Sequence, residues 1–211
     1  MKTVSELQTI LAHSLQFTGR QFSETEIDCF SHYYQLVLKW NDHLHLTTLI
    51  EPTVFAERHI FEPSFAACYL LPSIHKVWDF GSGLGIPGIP ISVIRPDLSV
   101  SLVEASQKKA VFLKEVRDAL QLHNVTVLNQ RFETMSEMEA DSCVTVRAIE
   151  QMTKVIPQIL NIQSYCTQFL LFGGSETKSA IIKSLPQDWK IEQYLIPLSQ
   201  NRFLFSLHRS T

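Results

Sequence analysis

Glycine is concentrated at one turn of this chain, where its backbone freedom suits the binding of a small ligand. Four of the seven glycines lie within Asp79–Gly88, directly after a β-like run. Glycine lets backbone N–H groups approach a ligand closely, and the N-terminus of a following helix adds partial positive charge. Pro87 and Pro90 are compatible with a helix that begins near Ile86, because the first four N–H groups of a helix have no intrahelical partners. We therefore predict a ligand-binding loop at this turn.

Two classes of cofactor compete for this loop. Gly83, Gly85 and Gly88 satisfy the GxGxxG spacing of dinucleotide sites. In such sites the first glycine normally follows the strand at once, whereas here Asp79 and Gly81 precede the pattern. The Asp79 carboxylate would repel a pyrophosphate but attract the ammonium of a methionine moiety, directly or through water. S-adenosylmethionine therefore fits better than NAD, which stays open as the alternative.

An acidic residue stands at the end of the next β-like run. Glu104 follows Gly81 by 23 residues, and a carboxylate at this place can accept hydrogen bonds from both hydroxyls of a ribose. Because both cofactors contain ribose, Glu104 supports the fold and the site without deciding between them. A solvated acid at the strand end is the alternative interpretation.

Alternating β-like and helical patterns must position these residues. Such alternation predicts a doubly wound, mostly parallel α/β sheet, and the last two runs are close enough to pair as an antiparallel hairpin at its edge. The predicted strands are 76–80, 100–104, 125–128, 143–146, 169–172, 190–196 and 202–207. The predicted helices between them are 89–94, 107–120, 149–162 and 176–185.

The first part of the chain has helical patterns instead. Apolar residues recur at helical spacing over Val4–Phe17, and Ser23 with Glu26 forms a capping-box pattern that opens a helix through Trp40. A third helix is predicted from Pro52 to about residue 71. We expect residues 1–72 to form a helical cap beside the pocket of a methyltransferase domain, 73–211, both within one compact unit.

Composition excludes several classes of protein. The net charge of −3 gives no bulk positive field, so any RNA contact must be a local patch. The four cysteines and eight histidines lack metal-ligand spacing, so we expect no metal site. No apolar run reaches the length of about 18 residues that a membrane span needs. We expect a cytoplasmic monomer that does not contact a membrane.

Two stretches of sequence resemble one family of enzymes. Val77–Ile91, with its Pro-Gly-Ile-Pro tail, and Leu102–Leu113 are similar to the RsmG (GidB) family, and further matches extend the resemblance over about residues 36–208. That family has a Rossmann-like class I methyltransferase fold. Its members use S-adenosylmethionine to methylate N7 of a guanine in the 530 loop of bacterial 16S ribosomal RNA. The resemblance implies this activity here.

The resemblance also implies the cofactor pocket. Phe132 with Ile86 would sandwich adenine, Glu133 would contact the base edge, and Arg147 would pair with the cofactor carboxylate or an RNA phosphate. All follow predicted strands, where open α/β sheets bind ligands. A core phenylalanine and a surface arginine are the alternative interpretations. The full set of predicted cofactor-binding residues is Asp79, Gly81, Ser82, Gly83, Gly85, Ile86, Glu104, Phe132, Glu133 and Arg147.

Four basic residues are candidates for contact with RNA. Lys108 and Lys109 fall in the first turn of a predicted helix, where the helix dipole disfavours cations unless a phosphate neutralises them. Arg58 and His59 would contribute from the N-terminal helices. The partner would be 16S ribosomal RNA or the small ribosomal subunit. Guanine N7 already has a free lone pair, so no catalytic base is expected, and Arg147 is the candidate for an electrostatic role.

The sequence departs from the family pattern at several positions. His45 stands where asparagine is usual, Glu62 and Pro63 replace Asp-Ser, and Gly173 and His208 replace lysines. The lost lysines bear on the RNA target more than on the cofactor. A methyltransferase acting on another RNA or a small molecule, an NAD-dependent oxidoreductase, and a non-catalytic binding module stay open as alternatives.

Overall fold

The computed structural model describes residues 2–135, 138, 141–147, 152–161 and 166–209. Its strands are β1 (Lys76–Phe80), β2 (Ser99–Val103), β3 (Val125–Leu128), β4 (Ser142–Val146), β5 (Gln168–Gly173), β6 (Trp189–Leu195) and β7 (Phe203–Arg209). Its α-helices are α1 (Lys2–Leu11), α2 (Leu15–Thr18), α3 (Glu24–Leu44), α4 (Pro52–Phe55), α5 (Glu62–Ala67), α6 (Gly88–Ile94), α7 (Gln107–Ala119), α8 (Met152–Leu160) and α9 (Ser175–Ser184). A π-helical segment, Ala56–Phe61, joins α4 to α5.

The described strands form one sheet in the order β3-β2-β1-β4-β5-β7-β6. The first five are parallel, and β7 runs antiparallel to both of its neighbours. The predicted doubly wound sheet with an antiparallel edge hairpin is therefore confirmed. The strand order reverses between β1 and β4, and an open α/β sheet binds its ligand at the carboxyl ends of the strands beside such a reversal. The glycine-rich loop follows β1 at this place.

Helices pack on both faces of the sheet, which explains why the central strands β4 and β5 are buried along almost their whole length. One hydrophobic core packs the N-terminal helices, α6 and α7 against the sheet and includes Leu7, Phe30 and Phe112. The other packs α8 and α9 against the opposite face and includes Ile156 and Ile181. The N-terminal region thus shares a core with the sheet, while its definition as a separate cap, 1–72, stays a prediction.

The capping box at the start of α3 is confirmed. Ser23 Oγ accepts a hydrogen bond from the N–H of Glu26 at 3.2 Å, and Glu26 Oε2 accepts from the N–H of Ser23 at 2.8 Å. The predicted continuous helix over Val4–Phe17 is wrong, because the chain breaks between α1 and α2. There Ser14 Oγ donates to the carbonyl of Arg20 and accepts from the N–H of Phe22, which ties the turn to the segment that follows.

Two further helix bounds differ from the sequence prediction. The helix expected to begin near Ile86 begins at Gly88, whose N–H is bound by a side chain from β1. The helix expected to reach residue 71 ends at Ala67 and contains the π-helical segment. The helix predicted over 149–162 is present as α8, Met152–Leu160. Both ends of the predicted range lie outside the described residues.

Candidate functional site

A cavity of about 370 Å³ lies at the carboxyl ends of β1, β2 and β4. Its volume is within the range of small-molecule sites, about 300–1,000 Å³. Nine of the predicted site residues line it: Gly81, Ser82, Gly83, Ile86, Glu104, Arg147, Arg58, His59 and Lys109. The structure therefore brings residues from four separate parts of the sequence to one cavity.

The glycine-rich loop has a conformation that requires glycine. Gly81, Gly83 and Gly85 have φ angles of 68°, 58° and 98°, in the region that side chains disfavour. The loop is tied to β2 by the N–H of Gly81, which donates to the carbonyl of Val103 at 2.9 Å. Gly85 lies away from the cavity, since a Cβ there would be 2.5 Å from Cγ1 of Ile89. Gly85 is thus required for close packing beneath the loop.

Asp79 lies beneath the loop and holds it in place. Its Oδ2 accepts from the N–H of Gly88 and its Oδ1 from the hydroxyl of Thr145, both at 3.1 Å. The carboxyl is fully buried and is not among the residues lining the cavity. Burial raises its pKa to about 7, against the hydrogen bonds from Gly88, Ser82 and Thr145 that lower it. The contact with a cofactor ammonium stays a prediction.

The buried carboxyl of Asp79 is expected to make stability depend on pH. Because its pKa is raised on folding, it contributes stability that is present below the unfolded value of 3.8 and lost as pH rises through about 7. The free energy of unfolding should therefore fall over this window relative to that of Asp79→Asn, whose amide keeps the shape but does not titrate. Urea denaturation of both proteins from about pH 4 to 8 measures the difference. Parallel stability curves would contradict the assignment.

Glu104 joins the loop to α7 and faces the cavity. Its Oε2 accepts from the N–H of Gly83 at 2.8 Å, and its Oε1 accepts from the N–H of Ser106 at 2.7 Å. The residue is 8% exposed, so its interpretation as a solvated acid is wrong. Each carboxylate oxygen keeps a further lone pair, which leaves the group able to accept hydrogen bonds from a ligand.

Arg147 lies at the end of β4 and is almost fully buried. Its Nη1 donates to the carbonyl of Arg58, and its Nη2 is 3.5 Å from Oε2 of Glu62. Burial lowers its pKa to about 10, which Glu62 opposes, so the guanidinium stays charged at neutral pH. Its interpretation as a surface arginine is therefore wrong.

His59 lines the cavity as a neutral side chain. The residue is 4% exposed, and its Nε2 is 3.0 Å from the hydroxyl of Thr47. Burial, followed by the charges of Arg147 and Arg58, lowers its pKa to about 3. The predicted phosphate contact cannot use a charged imidazole here, because a cation beside two guanidiniums would cost too much to bury.

Comparison with known proteins decides the family. The family model GidB, described as rRNA small subunit methyltransferase G, matches residues 26–199. This chain belongs to the GidB family. It is therefore an rRNA methyltransferase by family, with S-adenosylmethionine as its methyl donor, and the NAD interpretation falls away.

Curated relatives in the GidB family are about 30% identical to this chain over the aligned residues. The ribosomal RNA small subunit methyltransferase G of Chloroflexus aggregans is 31% identical over 79% of this chain and 69% of its own length. That of Nitrosomonas eutropha is 32% identical over 79% and 78%. That of Bacillus subtilis is 30% identical over 64% and 59%, so this alignment spans less than two thirds of the relative.

Solved structures confirm the methyltransferase fold. A predicted O-methyltransferase from Agrobacterium tumefaciens is 17% identical, with a TM-score of 0.53 over 69% of this chain and 81% of its own. An rRNA methylase from Streptococcus thermophilus is 15% identical, with a TM-score of 0.50 over 71% and 94%. These likenesses concern the fold alone.

Several residues that line the cavity of this GidB protein were not predicted. They belong to Leu46–Leu49, which connects α3 to α4, and to Leu84 in the loop. Asn41 Oδ1 accepts from the N–H of Thr47 at 2.9 Å, and the Thr47 hydroxyl accepts from the N–H of Leu49 at 3.0 Å. These are short-range contacts, so an asparagine at a helix end six residues before a threonine was the available signal.

The remaining predicted residues lie outside the cavity. Phe132 stacks on Phe80 with ring centroids 5.2 Å apart, and Glu133 is exposed in the same 3₁₀ turn. Lys108 is exposed beside Lys109 in the first turn of α7. Cofactor or RNA contacts by these residues stay predictions.

Two departures from the GidB pattern have a structural context. His45 ends α3 in the left-handed region, with φ 47°, a conformation that asparagine adopts more readily. His208 pairs with Gln168 in register, at the opposite end of β5 from the pair formed by Gly173 and Phe203. Position 208 therefore lies away from the cavity, and the bearing of the lost lysine on RNA contact stays a prediction.

The described ranges hold neither a metal-binding cluster nor a membrane-spanning helix. They contain no group of three or more histidine, cysteine or acidic side chains placed to hold a metal ion. Within the same ranges, no helix is both long and apolar enough to cross a membrane.

Proposed function

We propose that this GidB protein transfers the methyl group of S-adenosylmethionine to N7 of a guanine in the 530 loop of 16S ribosomal RNA, either free or within the small subunit. The observation that carries the proposal is the cavity under the glycine loop, with Glu104 on one wall and Arg147 on another. A carboxylate and a buried cation suit the ribose hydroxyls and the carboxylate of the cofactor.

The residues present fit this cofactor. A Cβ on Gly83 would have no neighbour closer than the Gly81 carbonyl, at 3.8 Å, so the missing side chain leaves room beside Glu104. Glu104 would hold the ribose, and Ile86 would pack against adenine. Arg147 would pair with the methionine carboxylate. The chain supplies this shape from its backbone and three side chains.

For this reaction the main task of the protein is to position the two reactants. When bound, the sulfonium would supply an electrophilic methyl group, which guanine N7 would accept with its free lone pair while the S–CH3 bond breaks and S-adenosylhomocysteine leaves. No proton has to be removed from the nucleophile, so the residues of the chain bind both reactants, align them and exclude water. The neutral state of His59 is consistent with a site that needs no cationic acid.

The lysines in the first turn of α7, beside the cavity, would bind the RNA backbone. Lys108→Glu reverses an exposed charge in the first turn of α7 and is expected to raise the KM for RNA by about tenfold, as one phosphate contact becomes a repulsion. Steady-state methylation at low salt measures this, with cofactor affinity unchanged. Lys183→Glu, in the last turn of α9, is the matched control, and equal KM values for both variants would contradict the assignment.

Product mapping tests the proposed site. Small subunits and naked 16S ribosomal RNA that lack the modification are incubated with the enzyme and S-adenosylmethionine, and N7-methylguanine is located by chain cleavage and mass spectrometry. A single new methyl group in the 530 loop is expected. Methylation elsewhere in the RNA, or of a small molecule only, would replace the proposed target. We also propose that the active species is a monomer, which sedimentation of the active fraction tests.

A further inference from the structure

A second cavity, of about 220 Å³, adjoins the cofactor site. Arg58 and Arg147 line both cavities, so these two residues connect the second cavity to the first. The far wall of the second cavity includes Arg202, just before β7, together with Gly173 at the end of β5 and Gly174 just before α9. This cavity therefore lies at the carboxyl end of β5, on the same side of the sheet as the carboxyl ends of β1, β2 and β4 that form the cofactor site.

Three arginines surround one carboxylate in this cavity. Oε1 of Glu62 is 3.1 Å from Nε of Arg58 and 2.8 Å from Nε of Arg202, while its Oε2 is 3.5 Å from Nη2 of Arg147. Glu62 is 3% exposed. Three positive charges against one negative charge leave an excess of two, and partly buried charge of one sign is unfavourable unless a further anion neutralises it.

Two of these guanidiniums keep donors for such an anion. Arg202 donates from Nε to Glu62, whereas Nε of Arg58 lies beside the same oxygen without a hydrogen bond to it. Among the described residues, the terminal nitrogens of Arg58 and Arg202 have no hydrogen-bond acceptor. Their side chains are 28% and 31% exposed, so a ligand from outside can reach them. A guanidinium offers paired N–H groups that match the oxygens of a phosphate.

Backbone forms the rest of the wall. Gly174 is the N-cap of α9, without a side chain that caps the helix, so the positive end of the helix dipole points toward this region. Glu176, in the first turn of α9, offsets part of that charge. At Gly173 a Cβ would be 2.1 Å from Oγ1 of Thr177, so there is no room for a side chain and the backbone faces the cavity uncovered.

We infer that this second cavity binds a phosphodiester group of the substrate RNA, next to the nucleotide that is methylated. Arg58 and Arg202 bind the phosphate, and Glu62 is a positioning residue that holds both guanidiniums. The inference rests on the proposed function, because it assumes an RNA substrate. It adds a subsite that is separate from the cofactor and includes Arg202, which lies 144 residues from Arg58 in the sequence.

Substitution of Arg202 tests the inference. A fluorescent fragment of 16S ribosomal RNA that contains the 530 loop is titrated with Arg202→Gln and wild type, with S-adenosylhomocysteine present, at several salt concentrations. The variant is expected to bind RNA about tenfold more weakly at low salt, the loss of about one charge-assisted contact. The slope of log affinity against log salt should become smaller by about 1. Cofactor affinity should not change.

Two further variants make the test selective. Arg95→Gln removes the same charge from an arginine that pairs with Asp97 at the opposite edge of the sheet and should leave the RNA affinity unchanged. Arg202→Lys keeps the charge beside Glu62 but loses the paired N–H groups, so it should lie between wild type and Arg202→Gln. Circular dichroism checks that each variant is folded, and Arg202→Lys carries the test if Arg202→Gln unfolds.

The outcomes separate this inference from the proposed function. Unchanged RNA affinity in both Arg202 variants, while wild type still methylates RNA, would overturn the phosphate subsite alone. Weaker cofactor affinity with an unchanged salt slope would also overturn it and assign the cavity to the cofactor carboxylate. A wild-type protein that neither binds nor methylates RNA would overturn the proposed function and this inference together.

Discussion

Replacing Gly83 by valine is expected to weaken the binding of S-adenosylmethionine by about a hundredfold, a loss of roughly 2.7 kcal/mol. Gly83 has φ 58°, and the space beside its Cα is open toward the cavity. A β-branched side chain would occupy that space and would also be strained at this φ. Isothermal titration calorimetry of wild type and variant measures the change.

A matched glycine elsewhere separates obstruction from strain. Gly19 ends α2 with φ 74°, and a Cβ there would have no neighbour within 4 Å. Gly19→Val should lose stability through the same strain while keeping its cofactor affinity. Gly83→Ala should show a smaller loss of affinity than Gly83→Val. Equal affinity for Gly83→Val and wild type would show that the ligand does not occupy the space beside the loop.

Replacing Glu104 by glutamine is expected to weaken the binding of the cofactor by about tenfold to a hundredfold. The carboxylate accepts from the N–H groups of Gly83 and Ser106, and we propose that it also accepts from the ribose hydroxyls. The amide of glutamine has one oxygen instead of two, so at least one N–H or hydroxyl donor loses its acceptor. A hydrogen bond to a charged group contributes about 1.5–3 kcal/mol, which sets the size of the expected loss. Calorimetric titration with S-adenosylhomocysteine measures the loss.

A modified ligand shows whether Glu104 contacts ribose. Wild type should bind the 2′-deoxy analogue of S-adenosylhomocysteine more weakly than the parent compound, and Glu104→Gln should discriminate much less between them. If the substitution lowers the affinity for both ligands by the same factor, Glu104 acts through the loop alone and its assignment to the ribose is wrong.

Local sequence patterns were sufficient for the sheet and the loop. Most strands are short runs rich in apolar residues between turn residues, and the predicted bounds of β1 and β3 coincide with those observed. Glu104 was identified for the same local reason, since it directly follows β2. These features depend on neighbours in the sequence, which is why they are legible without a structure.

Other features depend on contacts between distant residues. Arg58 and Glu62 have the i,i+4 spacing of a helical ion pair, but nothing in the sequence brings Arg147 and Arg202 to the same carboxylate. The direction of the Asp79 carboxyl, toward Gly88 and Thr145 instead of the cavity, is likewise set by the packing of β1 against β4 and α6. The neutral state of His59 follows from its burial between elements that the sequence alone does not place together.

Transfer of a labelled methyl group tests the central claim most directly. Wild type and Gly83→Val are each incubated with S-adenosylmethionine that has a tritiated methyl group, together with 16S ribosomal RNA lacking the modification. We predict that tritium enters the RNA with wild type and that incorporation is nearly abolished with Gly83→Val at limiting cofactor. Binding of the cofactor by folded wild type with no tritium in either free RNA or small subunits would contradict the account.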